Sequence, residues 1–251
     1  YEEWVGRLED LFTDMMEEKS YYMQLRYIDE AGDELVRVDS DGTTVSPIPT
    51  DQLQNKGDRG YFTETIGLEP DSVYISPVEL NREQGAIEEP FKPVIRYATP
   101  IVDAAGQQRG IVIANVFADQ FLALAAQSDD LASEEMLLVN QEGYYLVNPD
   151  PSKLWGFELD KEETLATDYS PEIAEQILSN DEGNIDVGRN ILAYEKLAPS
   201  DDRPYALIAI AKVPRGDVFA SVNSFKLLAG LTVLFSLGLV IPFAIWRGRG
   251  L

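Results

Sequence analysis

Apolar side chains near the start of the chain recur at steps of four and three: Trp4, Leu8, Leu11 and Met15, then Tyr22. Phe12 and Met16 widen the stripe, and Glu and Asp fill the positions between. That period predicts one amphipathic helix over residues 2–25. Its spacing is close to a heptad, so the stripe can pack on its own domain or on a second copy. From Gln24 the period drops to two. LRYID and ELVRVD, joined by Glu30-Ala31-Gly32-Asp33, read as a β-hairpin. Residues 43–60 are loop-like, with Pro47, Pro49, Gly57 and Gly60. VYISPVEL (73–80) and PVIRYATPIVD (93–103) read as strands, linked by a polar excursion over residues 81–90. After the turn at 103–106, the almost unbroken apolar run GIVIANVF (110–117) predicts a strand covered on both faces.

A second, shorter round follows. Residues 118–127 read as a linking helix, and MLLVNQEGYYLVNP as a hairpin turning at Gln141-Glu142-Gly143. Residues 171–179 read as a helix capped by Ser170. ILAYEKLA and YALIAIAKV are two more strands, separated by a turn at 200–204, and Pro214 and Gly216 mark the exit from the last. The expected fold class is α+β, with two tandem antiparallel-sheet domains behind one long helix. The expected divisions are a spine helix at 1–25, a membrane-distal domain at 26–125 and a membrane-proximal domain at 126–222. A transmembrane helix at 226–247 follows. It rests on Leu227–Trp246, twenty residues without a charge, about 30 Å as a helix and so the thickness of a bilayer's hydrocarbon core. Arg247 and Arg249 follow this span and only Lys226 directly precedes it. That asymmetry places the C-terminus in the cytoplasm and residues 1–222 outside the inner membrane.

Composition narrows the chemistry. The net charge of −24 argues against nucleic acid and anionic lipid surfaces as partners. Neither Cys nor His is present, which removes disulfides, thiolate and Ser-His-Asp nucleophiles, and HExxH zinc sites. Carboxylate-pair or Ser-Lys chemistry remains, but no acidic pair stands out, so the chain is expected not to be an enzyme. No cofactor and no metal are expected. Asp39-Ser40-Asp41-Gly42 begins like a calcium loop without its later ligands, and reads as a solvated turn. The chain opens on Tyr and ends four residues past Arg247, so it reads as cut from a longer protein at both ends.

Several stretches resemble extracytoplasmic double Cache sensors, which carry two PAS-like domains on a long N-terminal helix between two membrane spans. They are QLRYIDEAGDELVRVD (24–39), DRGYF (58–62), VYISPVELNREQGAIEEPFKPVIRYATPIVD (73–103), GIVIANV (110–116) and NQEGYYLVNPDPSKLWGFEL (140–159). The resemblance implies a receptor, a homodimer, and a missing output domain such as a histidine kinase, a diguanylate cyclase or the signalling part of a chemoreceptor. Amino-acid sensors of this kind are similar to one another in an Arg-x-Trp-Tyr segment, a later Tyr-x-Asp and a final strand Asp. Here Arg59-Gly60-Tyr61-Phe62, Tyr74-Ile75-Ser76 and Asn115 stand at those places. Arg59 keeps a planar fork of donors suited to a carboxylate. Both carboxylates suited to an ammonium group are replaced, so the resemblance implies a small carboxylate or other anion as ligand. Amino-acid sensing and a partner-binding scaffold are the alternatives.

Alternation on the strands adds detail. Tyr74, Ser76 and Val78 share one face, and Arg96 shares a face with Ala98. The candidate ligand-binding residues are therefore Arg59, Tyr61, Phe62, Tyr74, Ser76, Arg96 and Asn115. Arg26 and Arg37 read instead as surface partners of nearby carboxylates, and Arg96 is open to the same reading. The proximal domain shows no constellation of site residues.

Overall fold

The computed structural model describes residues 2–126, 135–197 and 205–218. They fall into two compact units. The first takes residues up to 124 together with 157–161, and the second takes 125–156 and the residues from 162 onward.

In the first unit, helix α1 (Glu2–Glu18) is followed by β1 (Tyr22–Ile28), β2 (Glu34–Ser40), β3 (Val45–Pro47) and helix α2 (Gly60–Ile66). Short strands β4 (Tyr74–Ile75), β5 (Glu79–Leu80), β6 (Arg82–Glu83) and β7 (Ala86–Ile87) come next, then long strands β8 (Pro93–Val102) and β9 (Gln108–Phe117). The sheet runs β3-β2-β1-β9-β8-β4, with β5 also on β8 and β6–β7 as a separate hairpin. Every pair of strands is antiparallel. The helix stops seven residues short of the expected 25. Its last turn carries Glu17 and Glu18 and no base, which the helix dipole disfavours. Tyr22 belongs to β1, where an aromatic side chain suits a pleated surface. The expected strand at 73–80 is broken at Ser76-Pro77, because Pro has no N–H for the ladder. Ser76 fills the gap: its N–H donates to the Arg96 carbonyl and its hydroxyl accepts from the Arg96 N–H, both at 2.9 Å.

Both faces of this sheet are covered. Phe12 and Met16 of α1 pack on Leu25, Val36 and Val38, with Val112 and Ala114 beside them. On the other face, Tyr61 and Phe62 of α2 pack on Ile28, Tyr74, Ala98, Ile111 and Ile113. The run at 110–117 accordingly meets protein on both sides. Gly110 (φ +122°) passes so near β1 that a Cβ would lie 2.0 Å from the Ile28 carbonyl oxygen, so only glycine fits.

Helix α3 (Asp119–Ala125) leads to the second unit. There β10 (Glu135–Asn140), β11 (Tyr145–Val147), helices α4 (Leu165–Asp168) and α5 (Pro171–Ser179), β12 (Glu182–Val187), β13 (Asn190–Leu197) and β14 (Leu207–Pro214) precede a final turn, α6 (Arg215–Val218). The sheet order is β11-β10-β14-β13-β12, again antiparallel. Its core gathers Tyr145, Leu165, Ile177, Leu192, Ile208 and Ile210. Ser170 caps α5 as expected, accepting from the Ile173 N–H at 3.3 Å. Among the described residues, no helix is long and apolar enough to cross a membrane. The expected span at 226–247, the turn at 200–204 and the end of the linking helix at residue 127 lie outside the described residues.

Candidate functional site

Antiparallel partners point to the same face, so the ladders define rows of side chains beneath α2. One row runs Arg37–Arg26–Ile113–Ala98–Tyr74 across β2, β1, β9, β8 and β4. The next runs Asp39–Gln24–Asn115–Arg96. A shift in the β1–β2 register sets Glu34 opposite Ile28, and its carboxylate reaches Arg26. The face is therefore apolar toward Ile111 and Phe62, and charged toward Gln24 and Asn115.

Three arginines are buried on it. Arg26 is 3% exposed and Arg96 4% exposed, and Arg37 is also buried. Two of them sit over the ring of Tyr61, the Arg26 guanidinium carbon 5.3 Å and that of Arg96 5.5 Å from its centroid. Cation–π attraction of this kind reaches about 2 kcal/mol once desolvated. Arg26 also donates to the Tyr61 hydroxyl (3.2 Å), to Glu34 (3.3 Å) and to the Asn115 carbonyl (2.8 Å). The Asn115 amide nitrogen donates onward to Gln24 (3.0 Å) and Asn81 (3.3 Å), and Gln24 donates to Glu83 (2.9 Å). Asparagine suits this place because an amide both accepts and donates, whereas a carboxylate only accepts. Arg37 grips Asp39 and Glu83 at 2.6–2.9 Å, and Arg96 pairs with Glu79.

Burial opposes each of these charges, and their partners oppose burial. Burial and the like charge of Arg26 lower the Arg96 pKa against the attraction of Glu79. For Arg26 and Arg37, the neighbouring groups outweigh burial and the pKa rises. Glu83 shows the mirror case: burial favours its neutral form, but Arg37 and Gln24 hold it below the ordinary glutamate value. All three guanidinia stay cationic at neutral pH. The Nε atoms of Arg26 and Arg96 are buried yet meet no acceptor among the described residues. A cavity of about 250 Å³ adjoins the network, walled by Gln24, Arg37, Asp39, Thr44, Glu83 and Lys92. This lies just below the roughly 300–1,000 Å³ of pockets for drug-sized ligands, a size suited to a molecule of few heavy atoms.

Of the residues singled out from sequence, the fold brings together Tyr61, Arg96 and Asn115. Phe62 and Tyr74 lie in the apolar half of the same face. The Ser76 hydroxyl is committed to backbone, accepting from Arg96 and donating to the Pro77 carbonyl (2.7 Å). Arg59 stands half-buried at the start of α2, its side chain making no hydrogen bond or ion pair among the described residues. Arg26 and Arg37 are not the surface pairs expected of them. They do hold carboxylates, but under α2 and its neighbouring loops rather than in solvent. Gln24, Glu34, Asn81 and Glu83 were not anticipated either. Asp41 is a solvated turn as expected: N–H groups of Thr43 and Thr44 and the Thr43 hydroxyl hold its carboxyl down at about 2.

The face of the second unit differs. Tyr145, Leu165, Leu192 and Tyr194 fill the space under its helices. The Tyr145 hydroxyl donates to Asp168 (2.9 Å), which also accepts from Lys153 (2.7 Å).

Comparison with solved structures finds the same fold in several sensor domains. A domain of a protein described as of the sensory box/GGDEF family from Vibrio parahaemolyticus superposes with a TM-score of 0.73 at 23% identity, covering 86% of this chain and 80% of that one. The extracellular domain of the histidine kinase vpHK1S-Z8 gives 0.72 at 22%, covering 87% and 77%. The periplasmic sensory domain of the Campylobacter jejuni chemoreceptor Tlp1 gives 0.59 at 14%, covering 86% and 80%. No curated protein matches the sequence. The family model for the bacterial histidine kinase sensor domain matches residues 3–209, and the chain belongs to that family.

Proposed function

We propose that this sensor domain binds a small carboxylate or similar anion on the charged face of its first unit. The observation that carries the reading is the pair Arg26 and Arg96. They are two buried cations on one tyrosine ring, each with a buried Nε donor that meets no acceptor among the described residues. Buried donors in native proteins are nearly always paired, so such a pair marks a place for an added acceptor. Tyr61 and Asn115 orient the guanidinia, and Phe62, Tyr74 and Ser76 shape the neighbouring surface. Arg59, two residues before Tyr61, is the cation that first meets an approaching anion. In this reading the two units are tandem PAS-like domains of an extracytoplasmic, homodimeric receptor. Residues 226–247 anchor it in the inner membrane and carry the change inward, and the chain performs no catalysis itself. A ligand shifts such a receptor only by its differential affinity for two arrangements.

The test is a thermal-shift screen of the full chain against acetate, succinate and methylammonium at fixed ionic strength. Carboxylates are expected to raise the melting temperature, the stabilisation growing as RT ln(1 + [L]/Kd). Arg96→Gln abolishes the shift, and Asn115→Asp, which sets a carboxylate beside Arg26, weakens the affinity about tenfold, near one pKa unit of charge interaction, and so reduces the shift. A flat carboxylate screen sinks the proposal. The partner-binding scaffold would then stand, on the observation that protein carboxylates already engage all three guanidinia.

A further inference from the structure

The anion seat is contested from within the chain. We infer that Glu79 is a built-in competitor, which a carboxylate ligand must displace from Arg96. This deepens the proposal above and rests on Arg26 and Arg96 being the seat. Burial within the pair is lopsided: the Arg96 side chain is 5% exposed and that of Glu79 39%. Arg96 is fixed on β8 by its ladder partner Asn115, by the Ser76 hydroxyl and by the Tyr61 ring. Glu79 sits on β5, a two-residue strand paired with β8 at Glu79–Val94 and Leu80–Pro93 and tied by the Leu80 N–H to Glu158, but none of these bonds holds the Glu79 side chain. In any exchange it is therefore the glutamate that moves.

The other carboxylates of the network are not free to leave in this way. Glu34 is fully buried and accepts from both Arg26 and the Gln54 N–H. Asp39 and Glu83 are each held by Arg37 and Gln24 together. Glu79 has Arg96 as its one ion-pair partner among the described residues. Its carboxylate is the same chemical group as the ligand's, presented to the same guanidinium. While it is in place, the affinity measured for an outside carboxylate is the intrinsic one reduced by the fraction of molecules with Arg96 released. Ligand binding also detaches β5 from this contact, which couples occupancy to the segment leading into β6.

Isothermal titration of acetate and succinate into the full chain decides the matter, with wild type, Glu79→Gln and Arg96→Gln compared at constant ionic strength. With Arg96 engaged by Glu79 in about nine molecules of ten, Glu79→Gln binds about tenfold tighter than wild type. Arg96→Gln does not bind, and Glu79→Asp returns toward the wild-type value. Glu79→Ser gives a second neutral variant, and a wild-type melting profile certifies folding for each. Equal affinity in wild type and Glu79→Gln overturns the competitor while leaving the seat standing, provided Arg96→Gln still fails. Weaker binding in Glu79→Gln overturns it as well, marking Glu79 as a ligand contact. Carboxylate binding absent from both overturns the competitor and the seat together.

Discussion

The face that α2 covers in the first antiparallel sheet and the face that α4 and α5 cover in the second are filled in opposite ways. Under α2 the first unit buries three arginines, the Glu34 carboxylate and the three amides of Gln24, Asn81 and Asn115. Under α4 and α5 the second buries Tyr145, Leu165, Ile177 and Leu192. Charge in a low-dielectric interior is costly unless every group is paired, and an apolar filling of similar volume is commonly the more stable choice. The first unit therefore keeps a polar interior at a cost in stability, and the second does not. On the proposed reading, the difference separates a face built to exchange partners from one built to stay closed.

The largest effect expected is at Glu34. Glu34→Ala leaves the buried Arg26 without its carboxylate and should cost about 3–5 kcal/mol, read by chemical denaturation of the full chain. A loss below 1 kcal/mol would show that the network contributes little, and the contrast would fail. The apolar counterpart is Ile177→Ala, expected to cost about 2–5 kcal/mol by opening a cavity. It should leave carboxylate affinity in the first unit unchanged, and any change there would mean that the two interiors are not independent.

Acid and alkali sharpen the contrast, since the two units should fail at opposite ends of the pH scale. Glu83 has a folded pKa below its ordinary value of 4.5. Its contribution is present above that value and is lost as the pH falls through the folded pKa. Tyr169 is pushed up to about 12 from 10 by burial, with Asp168 and Glu135 adding to it. Its contribution is present below pH 10 and is lost as the pH rises toward 12. Amide exchange should thus accelerate first in β1 and β2 on acidification, and first in β10 and β11 on alkalinisation. The reverse order would break the comparison. Smallest of all, Tyr145→Phe removes one neutral hydroxyl donor to Asp168 and should cost about 1 kcal/mol. A loss of 3 kcal/mol or more would mean that the second unit also depends on a polar node.

Parts of this contrast are legible in the residues themselves. The 4–8–11–15 stripe announces α1, and the apolar run at 110–117 announces a doubly covered strand, because period and composition are local properties. Strand β12 is not announced: Gly183 and Asn184 are poor strand formers. Yet Gly183 is required, since a Cβ there would lie 2.6 Å from the Tyr194 hydroxyl. Arg26 and Arg37 mislead for a related reason. Their alternation with Leu25, Val36 and Val38 is the usual mark of a half-solvated strand. Whether the polar side meets water or a second layer is set by residues such as Tyr61 and Glu83, 35 and 46 positions away from Arg26 and Arg37. Tyr61 and Asn115 were found through the motif around them, while the arginine that joins them carried no motif.

The alternation along β1 has a mechanical consequence. Arg26 turns toward Tyr61 of α2, while its neighbours Leu25 and Tyr27 turn toward α1. A rearrangement at the guanidinium and the footing of the helix are therefore separated by a single peptide unit. For an anion bound as proposed above, no relay of side chains is needed to reach that helix; the thickness of one strand is the whole distance.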